Sequence, residues 1–389
     1  MTVSWAEVEL GNVLAFSSGK SIVPGRTGAY PAFGSNGLIG NSDRSLFDSG
    51  IIIGRVGAYC GSTSLSRSPF WTSDNTIVAR PKDELDLDFA YFLLVQANLN
   101  RWAGGAAQPL LTQAVLKPLR FRIPPVPAQR RIASILRAYD DLIEVNRRRI
   151  TILEEMARGL FEEWFVRFPG HEEAAIVETP NGLLPKRWAW KPLSALADLV
   201  GVSTAPSSSP DQAFLHYSFP AFDVGALPML EPGSAILSNK LRFEGPVVLV
   251  GKLNPRLPRI WYVPNASATP QIASTEFLPL KPKAPLGAAG LSAYLRSAPF
   301  LDRMRGLAQG TSTSHQRARP GDILAIPLAV PPADFLAALD RQVEPITRMG
   351  ERLREANRRL AASRDLLLPR LVSGELSVAA AERELEAAA

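Results

Sequence analysis

Histidine and cysteine, the residues most often found in metal centres and covalent catalysis, are few and scattered in this sequence. The 389 residues include three histidines, His171, His216 and His315, and one cysteine, Cys60. None of these residues stands at the spacing that a zinc site requires. The sequence contains neither a Gly-x-x-x-x-Gly-Lys-Ser/Thr phosphate loop nor a Gly-x-Gly-x-x-Gly turn that opens a helix after a strand. We therefore predict a chain without a catalytic or metal centre, with Cys60 as a small buried side chain in a strand.

The polar residues of the Gly- and Ser-rich loops are of the kinds that bind base edges. Arginine and lysine pair with guanine, asparagine and glutamine pair with adenine, and serine and threonine bind either. The candidate DNA-binding residues are Asn36, Arg55, Asn75, Gln108, Lys252, Asn254, Arg256, Arg259, Ser314, His315, Gln316, Arg317 and Arg319. Lys20, Arg44 and Arg67 are candidates for phosphate contacts. For each of them an exposed position without a DNA contact is the alternative, and Asn36 suits a tight turn equally well.

The positive charge of the chain is unevenly distributed. The net charge is +6, yet residues 185–330 alone carry 15 lysines and arginines against 8 acidic residues. The two helical segments described next are nearly neutral. A basic globular segment beside neutral helices predicts that the globular parts bind a polyanion and the helices bind protein.

Two long amphipathic segments, 128–168 and 333–371, each follow a proline-rich step and show a heptad repeat. The rows of the first are Ile132, Tyr139, Asn146, Leu153, Leu160 and Leu136, Ile143, Ile150, Ala157, Trp164. Those of the second are Leu339, Ile346, Leu353, Leu360, Leu367 and the poorer Val343, Gly350, Asn357, Arg364, Leu371. We predict an antiparallel helix pair in which Asn146 and Asn357 either fix the register or lie at a loose edge. Pro345 is expected to kink or interrupt the second helix.

The sequence also nearly repeats itself about 200 residues apart, which indicates a duplicated domain. Tyr30-Pro-Ala-Phe33 is echoed by Phe219-Pro-Ala-Phe222, and Ile51–Arg55 by Val248–Lys252. Short strands of an irregular sheet are predicted at 50–55, 75–80, 246–251 and 276–280, with one or two helices at 88–98 and 289–307. The predicted fold class is α+β, with two similar irregular α/β recognition domains in tandem, separated by two long helices packed as an antiparallel coiled coil. The predicted segments are 1–127 and 185–330 for the domains, 128–168 and 331–389 for the helices with the C-terminal tail, and 169–184 for the linker.

A set of motifs in order along the chain resembles a known family. They are Tyr30-Pro-Ala-Phe-Gly-Ser-Asn-Gly-Leu-Ile-Gly40, Gly50-Ile-Ile-Ile-Gly-Arg-Val-Gly57, Phe70-Trp-Thr-Ser-Asp-Asn-Thr76, Ile123–Ile132, Asp141–Arg148, Phe161–Phe165 and Arg364–Leu371. Together they resemble the specificity subunit of type I restriction–modification systems over essentially the full length. The second repeat departs from the pattern, because Tyr217–Gly225 lacks the Gly-Ser-Asn-Gly signature.

The resemblance implies a non-catalytic DNA-recognition subunit. Its two target recognition domains would each recognise half of a bipartite double-stranded DNA target. Its helices would dock methyltransferase subunits, with two expected, and restriction or translocase subunits would join. No cofactor is expected on this chain, whereas S-adenosylmethionine, ATP and Mg are expected on the partners. A cytoplasmic location without membrane contact is expected. The alternatives are the specificity subunit of a methylation-only or other defence assembly, and a coiled-coil adaptor that binds no DNA.

Overall fold

The computed structural model describes residues 4–21, 28–82, 84–105, 108–165, 176–308 and 316–388. The chain forms two compact units: Met1–Ile143 with Arg359–Ala389, and Glu144–Arg358. Each unit combines one globular segment with parts of both long helices. This grouping differs from the five predicted segments, whose boundaries stay a prediction.

The first unit is built on a buried antiparallel sheet. Its elements are β1 Ala6–Glu9, α1 Leu10–Val13, β2 Leu14–Ser18, β3 Tyr30–Gly34, β4 Gly37–Ser42, β5 Gly50–Gly54, β6 Thr63–Ser66, β7 Trp71–Thr72, β8 Thr76–Pro81, α2 Leu87–Gln96, α3 Gln113–Leu116 and β9 Arg120–Ile123. One sheet has the order β2-β8-β5-β6, and a second has β4-β3-β7. All five residues of β5 are buried, as expected of a continuous apolar run with both faces covered. The side chain of Asp86 caps α2 by accepting from the backbone of Asp88 and Phe89.

The long helices and the terminal helix complete the units. These are α4 Val126–Phe165, α9 Ala333–Ser373 and α10 Val378–Ala388.

The globular segment of the second unit lies between α4 and α9 in the sequence. Its elements are β10 Ile176–Thr179, β11 Gly182–Pro185, β12 Ala189–Pro192, β13 Ala197–Leu199, β14 Val202–Thr204, β15 Ala213–Tyr217, α5 Phe219–Gly225, β16 Met229–Pro232, β17 Lys240–Phe243, β18 Val247–Gly251, β19 Ile260–Val263, β20 Gln271–Ser274, β21 Phe277–Pro282, α6 Ala288–Arg296, α7 Ala298–Gly306, α8 Pro320–Leu324 and β22 Pro327–Val330.

The two units share one strand topology. The order β2-β8-β5-β6 of the first matches β13-β21-β18-β19 of the second. In each unit the second sheet contains one parallel pair of strands, β3 with β7 and β15 with β20. The predicted α+β fold with two similar domains is confirmed.

One part of the predicted repeat is wrong. Tyr30-Pro-Ala-Phe33 forms strand β3, but Phe219-Pro-Ala-Phe222 is the first turn of helix α5. The structural counterpart of β3 is β15, which ends just before it. The reason is local: the hydroxyl of Ser218 accepts from the backbone N–H of Ala221, and a proline in the first turn suits a helix start.

The long helices pack against each other within each unit. In the first unit Leu136 of α4 and Leu371 of α9 are fully buried in one core cluster. In the second unit Phe161 of α4 and Leu339 of α9 share another. Pro345 does not interrupt α9, so the predicted interruption is wrong, whereas a kink stays a prediction. Buried neighbours such as Val343 hold this stretch against the core of the second unit, which offsets the lost backbone hydrogen bond.

The poorer heptad row of α9 has polar partners on α4. The amide of Asn146 donates to Oδ1 of Asn357 at 2.9 Å, which favours a register-fixing pair over a loose edge. In the first unit Arg364 binds Asp140. Gly350 lines a cavity of about 40 Å³ beside the charged group described next. Asn357 and Arg364 of this heptad row therefore bind polar residues of α4, and Gly350 lies beside a small cavity.

Two carboxylates in the second unit share the same arginines, but their pKa values are shifted in opposite directions. Glu154 binds Nη1 of Arg296 at 3.0 Å and also binds Arg354, which binds Glu351 at 2.6 Å. Burial alone would raise the pKa of Glu154, but attraction to the two arginines holds that pKa below its ordinary value. Burial dominates at Glu351 and raises its pKa.

The opposite pKa shifts predict that removing the charge of Glu154 costs more stability than removing that of Glu351. Because the folded pKa of Glu154 is lowered, its contribution is present above its unfolded pKa and is lost as the pH falls through the folded value. Near pH 7 we expect Glu154→Gln to lower the free energy of unfolding by about 1–2 kcal/mol, discounted for its partial exposure. Glu351→Gln, the matched control, should change that free energy by less than about 1 kcal/mol, since its charged form is disfavoured. Urea unfolding at pH 7 and below pH 4 checks this, and equal losses for both variants at pH 7 would contradict it.

Candidate nucleic-acid interface

A polar cleft opens in the first unit where three loops meet. They are the β3–β4 turn, the segment after β5 and the β7–β8 turn. The lining residues include Ser21, Ser35, Asn36, Tyr59, Asp74 and Asn75. The hydroxyl of Ser35 donates to the backbone oxygen of Asn75 at 2.5 Å, and Ser62 donates to that of Ser35 at 2.7 Å. These bonds join the loops, so the exposed side chains of Asn36 and Asn75 lie at one site.

Glycines allow the loops to approach closely. A Cβ on Gly54 would lie 2.4 Å from the backbone oxygen of Tyr59, so only glycine fits there. Gly37 has φ +94°, which completes the tight turn after Asn36. The turn role of Asn36 is therefore compatible with its place in the cleft, and its DNA contact stays a prediction.

The other two candidates of the first unit lie beside this cleft. The backbone N–H of Arg55 donates to the oxygen of Asn75 at 2.9 Å, but the Arg55 side chain is only half-exposed and its Nε is buried. Gln108 is exposed. The backbone oxygen of the next residue, Pro109, accepts a hydrogen bond from the N–H of Gly57 at 3.1 Å. Gln108 is thus the better presented of the two.

The two candidate clusters of the second unit form one surface. The N–H of Asn254 donates to the backbone oxygen of Gln316 at 2.7 Å, and the N–H of Ala318 donates to that of Lys252 at 2.9 Å. Asn254 adopts φ +52°, a left-handed conformation that asparagine tolerates. Two segments about 60 residues apart in sequence therefore lie side by side.

Within this surface the side chains alternate. Gln316 and Ala318 are buried, whereas Arg317 and Arg319 are exposed, as in an extended strand. Gln316 is therefore not exposed beside Arg317 and Arg319, and its contact with DNA stays a prediction. Arg256 is exposed in its turn and Lys252 is half-exposed. Ser314 and His315 lie outside the described residues.

Several predicted cations already bind carboxylates. Arg259 forms a double hydrogen bond with Asp223, at 2.7 and 2.8 Å, and its guanidinium stacks on Phe219. Arg317 binds Glu276. Among the phosphate candidates Arg67 is paired with Asp88, whereas Lys20 and Arg44 are exposed. Sequence reasoning missed the acidic partners, because each stands more than 20 residues from its arginine and no motif joins them.

Cys60 and His216 both have structural partners in the described part of the chain. Cys60 is buried as predicted. It does not lie in a strand, however, but directly follows the short helical turn Gly57–Tyr59. Its thiol donates to the backbone oxygen of Arg55 at 3.2 Å, and burial raises its pKa, which disfavours the reactive thiolate. His216 contacts Glu231 through Nδ1 at 2.5 Å. Within the described part of the chain, no three His, Cys, Asp or Glu side chains are grouped as metal ligands would be. No described helix combines the length and apolar character needed to span a membrane.

Comparison with known proteins gives matches of one kind. Residues 2–155 match the family described as type I restriction modification DNA specificity domain. A 114-residue stretch, 29% of this chain, is 33% identical to the EcoprrI type I restriction enzyme specificity subunit of Escherichia coli, and covers 28% of that protein. A 167-residue stretch, 41% of this chain, is 28% identical to the MjaIX specificity subunit of Methanocaldococcus jannaschii, and covers 39% of that protein. The matched segments thus span well under half of these relatives.

A solved structure resembles the chain over nearly its whole length. It is the S subunit of a type I restriction–modification system from M. genitalium, with a TM-score of 0.60 and 16% sequence identity. The match covers 95% of this chain and 96% of that one. At this identity the likeness concerns the fold, which the two chains share.

Proposed function

We propose that this chain, whose residues 2–155 match the family described as type I restriction modification DNA specificity domain, is the DNA-recognition subunit of a restriction–methyltransferase complex. Each unit would recognise one half of a bipartite double-stranded target. The observation that carries this proposal is the repeated topology, because each copy brings together loops with base-binding side chains. The basic excess of 15 cations over 8 acids in 185–330 supports a phosphate-rich partner.

The helices supply the surface for protein partners in this proposal. Val145, Ile152 and Met156 form an apolar stripe on α4. Their solvent-exposed fractions are 42%, 55% and 51%. A stripe at heptad spacing on an already paired helix suits a further helix from another protein. We propose that methyltransferase subunits dock here and that restriction or translocase subunits join them. The chain itself would be non-catalytic, with S-adenosylmethionine, ATP and Mg on its partners.

The length of the helices supports a spacing role. At about 1.5 Å per residue, the 40 residues of α4 extend over about 60 Å, well beyond one DNA turn of about 34 Å. Both α4 and α9 contribute residues to both units. We propose that the pair sets the unread gap between the half-sites.

Removal of two exposed arginines tests the recognition role of the second unit. We expect Arg317→Ala with Arg319→Ala to weaken the sequence preference at one half-site by about 10-fold or more, because base contacts carry the discrimination. The control is Lys186→Ala with Arg187→Ala, which removes the same charge from exposed positions of the same unit.

The measurement is binding of randomised duplexes at two salt concentrations by the full chain with its methyltransferase subunit. The preference at the other half-site and the assembly with the methyltransferase should be retained. Equal losses in the test and control variants would show that only total charge matters. Binding without any salt dependence would instead favour a protein adaptor.

A further inference from the structure

We propose that Glu276 is a positioning residue that orients Arg317 to recognise a guanine in the half-site bound by the second unit. This inference rests on the proposed function and deepens it. It adds the identity of one base and a residue that acts on it through another side chain.

The contact between the two side chains uses one edge of the guanidinium. Nε of Arg317 lies 3.3 and 3.2 Å from the two carboxylate oxygens of Glu276, and Nη2 lies 3.1 Å from Oε1. A guanidinium has five N–H donors in one plane. The opposite edge, formed by Nη1 and the outer N–H of Nη2, is therefore turned away from the carboxylate. Two parallel N–H groups of this kind match O6 and N7 of guanine.

Both side chains are anchored through their backbones. Glu276 lies in the turn between β20 and β21, and its backbone oxygen accepts from the N–H of Lys252 at 2.9 Å. Arg317 pairs with Leu253 in an antiparallel bridge. The side chain of Glu276 is 25% exposed and that of Arg317 is 52% exposed, so the arginine is the more accessible member of the pair. Part of the entropy cost of holding the arginine is thus met before DNA binds.

A second arginine pair on the same surface has a different character. Arg259 also uses its Nε and Nη2 edge, toward Asp223. Its side chain, however, is only 17% exposed and stacks on Phe219 with 4.6 Å between the guanidinium carbon and the ring centre. Gly251 donates to the backbone oxygen of Arg259 at 2.8 Å, which closes the loop there. Arg259 therefore holds the loop, and Arg317 is the arginine presented outward.

Base preference at single positions tests this assignment. The variants are Glu276→Gln, Arg317→Lys and, as a control of equal charge change on a paired carboxylate, Asp302→Asn. The full chain with its methyltransferase subunit selects duplexes from a randomised library, and base frequencies are compared position by position. Thermal unfolding of each variant is measured in parallel.

We expect the unaltered chain to prefer guanine at one position of one half-site. Glu276→Gln should reduce discrimination there by roughly 10-fold and leave all other positions unchanged. Arg317→Lys should retain most of the affinity, since the charge remains, but lose the same preference. Asp302→Asn should change neither.

The experiment distinguishes failure of the Glu276–Arg317 assignment from failure of the proposed function. A bipartite target whose guanine preferences survive both Glu276→Gln and Arg317→Lys would overturn the assignment but leave the proposed function intact. Loss of preference at every position, with a lowered unfolding temperature for Glu276→Gln, would assign Glu276 a structural role only. A chain that selects no bipartite target would refute the proposed function and this assignment with it.

Discussion

Removing one heptad from each long helix is expected to shorten the unread gap between the two half-sites by about three base pairs. Seven residues at about 1.5 Å each are about 10 Å of helix, and one base pair extends over about 3.4 Å. A target with the original gap should then bind far more weakly than one with the shortened gap. The base preferences within each half-site should not change, because the deletion leaves the loops intact.

The helix pair allows a matched deletion. Residues 147–153 of α4 and 350–356 of α9 lie directly beside Asn146 and Asn357, whose side chains are hydrogen-bonded. Removing both segments preserves the heptad phase and keeps the asparagine pair. Insertion of one heptad at the same points is the control and should lengthen the gap by a similar amount. A gap that is the same in the deletion, the insertion and the unaltered chain would rule out the spacing role of the helices.

A double change in the cleft of the first unit should have a comparably large effect on affinity. Asn36→Asp with Asn75→Asp replaces two exposed amides by carboxylates of nearly the same shape. Each change removes donors that could bind an adenine and adds a negative charge that repels phosphates. We expect DNA affinity to fall by about 100-fold, at about 1–3 kcal/mol for each lost base contact.

The control for this change lies on α2 of the same unit. Gln96→Glu also converts an exposed amide to a carboxylate, and Gln96 is not a cleft residue. Affinity is measured by titration of a duplex that carries the preferred target, together with thermal unfolding. If Gln96→Glu lowers DNA affinity as much as the double change in the cleft does, the cleft has no special role in binding. An unchanged affinity for the cleft pair would exclude Asn36 and Asn75 from the interface.

Periodicity and continuous apolar runs predicted much of the fold. The heptads placed the long helices at 128–168 and 333–371, and the structure has them at Val126–Phe165 and Ala333–Ser373. The predicted strand at 246–251 is β18, all of whose residues are buried. Such patterns are strong because a long amphipathic face or a two-sided buried strand has few other ways to leave water.

Local sequence likeness failed where context decides. The echo of Tyr30–Phe33 at Phe219–Phe222 is a helix in one copy because a serine cap precedes it. A proline at 345 was expected to break α9, but packing on the core maintains the helix. In both cases neighbouring residues outweighed the motif itself.

The candidate site was predictable in its composition but not in its pairing. The sequence indicated which loops carry residues of the kinds that can bind base edges, and the structure brings Lys252–Arg259 beside 316–319. The sequence did not indicate that Glu276 binds Arg317 or that Asp223 binds Arg259, because the members of these pairs are 41 and 36 residues apart. Nor did it separate the buried Gln316 from its exposed neighbours, which depends on strand pairing.

We propose that this one chain recognises two separate DNA sequences at a fixed separation. The most direct measurement is the map of modified adenines or cytosines in the genome of the source organism, with and without this chain. We expect a single bipartite motif with a constant unread gap that disappears when the chain is removed. A continuous motif, a gap of variable length, or an unchanged map without the chain would contradict the account.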